Sequence, residues 1–179
     1  MIGMELAKDS LPRSGTPEEV GLTIRISCGV GTGRTALSAF DAALRDAGVA
    51  DFNLVRLSSV IPPRSTVIDV HGDEQLDGGH GDLLYCVYAV DVATRPDETV
   101  WAGVAWSLAT DGSGGGLFVE HTASTKEQLE HDLAASLDDM ARGRGGAYAP
   151  AGSVLASASC TTQPAAAVVI ATYRCEGWG

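Results

Sequence analysis

The stretch Asn53-Leu54-Val55-Arg56-Leu57-Ser58-Ser59-Val60-Ile61-Pro62-Pro63 limits the possible folds more than any other part of the chain. Leu54, Val55 and Leu57 supply the apolar, partly β-branched side chains of a strand. Pro62 and Pro63 cannot donate to a ladder, and Pro62 pushes Ile61 away from helix, so this strand must leave its sheet. The Ser58-Ser59 pair sits where the chain makes that exit. Taken alone, two serines there read as a hydrogen-bonded turn.

The flanking patterns build a mixed fold. Leu22 to Cys28 alternates apolar and polar residues, a half-buried strand. Gly29-Val30-Gly31-Thr32-Gly33 lacks the lysine and spacing of a phosphate-binding loop and reads as a turn into a helix. Thr35 is placed to cap that helix and Gly48 to follow its end. Between them Leu37, Phe40, Leu44 and Ala47 recur at helical spacing, the face expected to pack on a sheet, with Asp41 adjoining. Thr66 to Val70, Leu83 to Val92, Thr99 to Ala109, a strand ending at Glu120, Val154 to Thr161 and Ala165 to Arg174 read as further strands. Ser124 and Glu127 form a capping-box pattern before a stripe of Leu129, Leu133, Leu137 and Met140. Strands in antiparallel pairs with two amphipathic helices predict an α+β sandwich.

Composition bounds what such a sandwich can do. The 179 residues form one expected domain, with residues 1–20 as a loose arm marked by Pro12, Gly15 and Pro17. The formal charge of -11, from 12 basic and 23 acidic residues, argues against a nucleic-acid partner and suits a cationic small molecule. No apolar run approaches the roughly 20 residues of a membrane helix, so no membrane partner is expected. No basic segment followed by an apolar stretch marks a leader, and the expected compartment is the cytoplasm. Cys28, Cys86, Cys160 and Cys175 have no C-x-x-C spacing and read as buried free thiols. His71 and His80 are too isolated to support a metal site.

A longer pattern changes the reading of the serine pair. Thr35-Ala36-Leu37-Ser38-Ala39-Phe40-Asp41-Ala42-Ala43-Leu44, then Asp46-Ala47-Gly48-Val49, then Asn53 to Pro63 resembles the pyruvoyl-dependent arginine decarboxylases almost without gaps. Gly116-Leu117-Phe118-Val119-Glu120 is a shorter match downstream. The resemblance implies a four-layer α-β-β-α sandwich, assembled as a trimer or a dimer of trimers with sites at subunit interfaces. It implies self-cleavage between Ser58 and Ser59, giving chains 1–58 and 59–179 and turning Ser59 into a covalent pyruvoyl group. Asn53 is implied to assist processing by donating to the developing oxyanion. Glu120 is implied as the proton donor in decarboxylation, and Asp41, Leu44 and Phe52 as the substrate-binding residues, Asp41 gripping a guanidinium.

The residues are compatible with that chemistry. Decarboxylating an amino acid needs an electron sink, usually pyridoxal phosphate on a lysine. This chain has only Lys8 and Lys126, neither in a phosphate-binding setting, so no pyridoxal phosphate and no metal is expected. A pyruvoyl group offers a comparable sink without an external cofactor. Three readings stay open: conversion of L-arginine to agmatine, the same chemistry on another amino acid, or an unprocessed homologue acting in binding or assembly. Phe52, bulkier than the aliphatic residue typical of the family, keeps the second open.

Overall fold

A computed structural model describes residues 21–70 and 76–178; the arm expected over 1–20 and His71 lie outside the described residues. The elements in order are β1 (Thr23–Thr32), α1 (Ala36–Asp46), β2 (Asn53–Arg56), β3 (Val60–Ile61) and β4 (Thr66–Asp69). There follow β5 (Leu83–Ala93), β6 (Thr99–Ala109), β7 (Gly116–Ala123), α2 (Lys126–Gly143), β8 (Tyr148–Ser159) and β9 (Ala165–Glu176). A five-stranded sheet of order β2-β5-β9-β1-β4 faces a four-stranded sheet of order β3-β7-β6-β8.

Three apolar cores make this a four-layer α-β-β-α sandwich, as expected. Ile24, Ile26, Val87, Val104, Phe118 and Val169 fill the space between the sheets. Ala39, Ala43, Leu44, Val168 and Ile170 seal α1 to the five-stranded sheet, and Leu129, Leu133 and Leu137 seal α2 to the other. The run Ala165-Ala166-Ala167-Val168-Val169-Ile170-Ala171 does not alternate because β9 is central and buried on both faces. Odd residues reach the inter-sheet core and even ones reach α1.

Several expectations are corrected. The antiparallel pattern holds for the inner ladders, but both edges of the five-stranded sheet are parallel, β4 to β1 and β2 to β5. The glycine segment is no turn: β1 runs through it to Thr32. A Cβ on Gly29 would lie 2.2 Å from the Ala43 carbonyl oxygen, and one on Gly31 would lie 2.3 Å from the Ala43 nitrogen. The glycines therefore let α1 lie directly against β1. The helix seats its small face, Ala39, Ala43 and Ala47 with Leu44, while Leu37 is 76% exposed. The predicted apolar stripe was rotated because close approach to glycine selects alanine over leucine. Thr35 and Gly48 occupy the expected capping positions. The cap of α2 is Thr125, which accepts from the Gln128 N–H, one residue beyond the predicted Ser124. Cys86 and Cys160 are buried, but Cys28 is exposed and Cys175 is only half-buried.

Candidate active site

The prolines end β3, not the strand they were expected to stop: β2 already ends at Arg56, before the serines. Strand β2 is the edge of one sheet and β3 the edge of the other, so the chain crosses the sandwich at Ser58-Ser59. On one side of the crossing the Leu57 N–H donates to the Cys86 carbonyl of β5 at 2.9 Å. On the other, the Phe118 N–H of β7 donates to the Ser59 carbonyl at 2.9 Å. The link between the serines is thus held between two sheets.

Ser59 itself has φ of 68°, in the left-handed region. For a residue with a side chain that conformation costs about 1–2 kcal/mol and persists only where the surroundings impose it. Its Oγ donates to Glu120 Oε1 at 2.6 Å. Glu120 lies opposite Val104 in the β6–β7 ladder and two residues after Phe118, so it shares the inward face of β7 with that buried ring. The β3–β7 pairing brings this serine and carboxylate together across 61 positions of sequence.

A further residue stands beside the pair. Tyr173 of β9, 8% exposed, donates its hydroxyl to the Val60 carbonyl at 3.2 Å across the sandwich. Its ring meets Phe118 edge-on at 6.0 Å. Burial raises the phenol pKa most, followed by the Glu120 carboxylate and then Cys86. The hydroxyl therefore stays protonated, a donor and not an anion. Sequence reasoning missed Tyr173. Its position at the inward-facing end of an apolar run was the available signal, since a buried phenol needs a partner. Cys86, fully buried nearby, has its thiol pushed up to about 12 by burial, against the opposing charge of Arg56 and a hydrogen bond at Val55.

The remaining predicted residues lie elsewhere. Asn53 is the first residue of β2, five positions before Ser58. Its Nδ2 donates to the Gly81 carbonyl at 2.6 Å, an oxygen that also accepts from Trp178 Nε1 at 2.8 Å. Asp41 is exposed on α1 and pairs with Arg45 one turn on, at 2.5 Å. Leu44 and Phe52 pack in the core beneath α1, on the opposite face of the five-stranded sheet from Tyr173. One chain thus brings Ser59, Glu120 and Tyr173 together, and holds Asp41, Leu44 and Phe52 apart from them.

The residues present suit a pyruvoyl precursor. Ser59 is strained, its hydroxyl is oriented by a carboxylate, and its carbonyl is held by a fixed N–H. A family model described as Pyruvoyl-dependent arginine decarboxylase (PvlArgDC) matches residues 23–173. A protein of that name from Methanococcoides burtonii is 31% identical over 115 residues, covering 61% of this chain and 63% of the relative. One from Picrophilus torridus is 34% identical over 102 residues, covering 57% and 56%. One from Thermoplasma volcanium is 36% identical over 94 residues, covering 52% and 50%. The chain thus spans between half and somewhat under two thirds of the length of these curated relatives.

Proposed function

Because this chain belongs to the pyruvoyl-dependent arginine decarboxylase family, we propose that it cleaves itself between Ser58 and Ser59 and then converts L-arginine to agmatine and carbon dioxide. The observation that carries this reading is Ser59, held at φ 68° with its Oγ on Glu120. A neutral hydroxyl is a poor nucleophile, so attack benefits from a strained, oriented link. Ser59 Oγ bonds to the Ser58 carbonyl carbon, the 58–59 C–N bond breaks, and the freed nitrogen takes up the proton. Loss of the Ser59 α-proton then expels the Ser58 carboxylate, leaving dehydroalanine at position 59. Water converts that residue to pyruvoyl and releases ammonia.

The group so formed supplies an electron sink for the pair left when carbon dioxide departs. Glu120, already within hydrogen-bond reach of position 59, returns a proton to the substrate α-carbon. Asp41 selects the guanidinium by a bidentate pair, exchanging its contact with Arg45 for the substrate. Leu44 and Phe52 bound the aliphatic stem, and Asn53 assists processing. Since Asp41, Leu44 and Phe52 lie away from Ser59 within one chain, they act at the Ser59 of a neighbouring copy, in a trimer or a dimer of trimers. The apolar Val60, 51% exposed beside the cleavage point, supports a covered edge there.

The half-buried Phe52 ring is the observation favouring a different amino acid as substrate. Carbon dioxide release across an amino-acid panel tests both readings. Arginine is expected to be turned over and lysine to be poor, because one ammonium cannot copy the planar guanidinium. Robust release from a neutral amino acid with arginine inert would overturn the arginine assignment.

A further inference from the structure

The left-handed Ser59 needs something to hold it, and the chain supplies three anchors around the crossing. Two are backbone bonds: Leu57 N–H to the Cys86 carbonyl, and Phe118 N–H to the Ser59 carbonyl. The third is a side chain, the Tyr173 hydroxyl donating to the Val60 carbonyl. Tyr173 belongs to the central strand of the sheet that the chain has just left, whereas Val60 belongs to the edge of the sheet it has joined. Its bond is therefore a strut across the sandwich at the residue after the scissile link. The phenol cannot swing away, because its ring is buried and set edge-on to Phe118. Phe118 is also the residue whose N–H grips Ser59.

We propose that Tyr173 is a positioning residue for self-cleavage, fixing Val60 so that Ser59 is kept in the left-handed conformation that places its Oγ on Glu120. The proposal rests on the self-processing reading above. Tyr173 touches neither reacting atom; it acts through the backbone of Val60. It takes no part in the proton movements, and burial keeps its hydroxyl protonated. A simpler role, satisfying a buried phenol, would leave cleavage indifferent to the hydroxyl.

The test uses Tyr173→Phe, which keeps the ring and removes the hydroxyl. Full-length wild type and variant are made by cell-free synthesis, and the single chain is followed into two by intact mass. Losing one such hydrogen bond is expected to slow cleavage about 5–10-fold. Equal rates would overturn the proposal while leaving self-processing intact; an uncleaved wild type would overturn the reading beneath it. A second measurement needs no cleavage. Ser59→Gly and Ser59→Ala both lack the nucleophile, and glycine alone accepts a positive φ without cost. With Tyr173 present, the glycine variant is expected to melt about 2–4 °C above the alanine variant. In the Tyr173→Phe background that gap is expected to shrink, because residue 59 can relax. An unchanged gap would show that the strut does not hold the conformation.

Discussion

Glu120→Gln separates the two reactions this chain is assigned. The Ser59 Oγ donates to Glu120 Oε1 at 2.6 Å, a short bond to a charged acceptor. Glutamine presents a carbonyl oxygen in the same place, so the hydroxyl stays oriented but the charge assistance is lost. The difference between a charged and a neutral acceptor is about 1 kcal/mol, which slows self-cleavage roughly fivefold. Decarboxylation fares much worse, because an amide N–H is too weak an acid to return the proton. Removing a general acid costs about 10²–10⁴-fold. The variant should therefore reach full cleavage on longer incubation and, once cleaved, release carbon dioxide from arginine at least a hundredfold more slowly than wild type. The assay pairs an intact-mass time course with carbon dioxide release from fully cleaved protein, so that each rate is read alone. Unchanged turnover in the cleaved variant would return Glu120 to a structural carboxylate. A complete block of cleavage would show that the carboxylate is needed as a base and not only as an acceptor.

Other substitutions test separate parts of the account. Asp41→Asn should raise the KM for arginine about 10–100-fold, the worth of one charged hydrogen bond, with cleavage intact; an unchanged KM would remove Asp41 from the substrate site. Gly31→Ala puts a Cβ 2.3 Å from the Ala43 nitrogen and 2.5 Å from the Ala42 carbonyl carbon, forcing α1 off the sheet. The cost is about 1–3 kcal/mol, read as a Tm lowered by roughly 2–12 °C. Cys86, whose thiol is pushed from 9.0 up to about 12, is protonated in the folded state where the unfolded thiol ionises. Its contribution to stability is complete below pH 9.0 and declines as the pH rises toward about 12, so the fall in Tm between mildly and strongly alkaline buffer should be smaller in Cys86→Ala. An equal fall in both proteins would contradict that.

Legibility in the sequence follows the range of the interactions. Local devices read well: Thr35 caps α1 and Gly48 follows it, whereas Pro62-Pro63 prove to end β3 and not β2. Glu120 and the serines were named on family resemblance, and their hydrogen bond comes from β3 pairing with β7, which no local pattern encodes. Tyr173 was silent for the same reason, its partner Val60 lying 113 residues away. The glycines in and just after β1 misled because Gly29, Gly31 and Gly33 look like a turn when read along the chain. Their meaning lies across it, in the helix that rests on them. Leu37 misled in turn, since apolar spacing cannot show that a glycine floor demands alanine. The last strand also runs beyond the expected Arg174: Cys175 and Glu176 pair in β9 opposite Leu84 and Leu83.

Whether the chain divides itself at Ser59 is read from an intact-mass spectrum of the purified wild-type protein. Two species are expected, residues 1–58 and residues 59–179, with the longer lighter by one ammonia than hydrolysis of the same bond would give. Ser59→Ala should remain a single chain. A wild-type protein still intact after prolonged incubation, or cleaved to a longer chain bearing an ordinary amino terminus, would contradict that division.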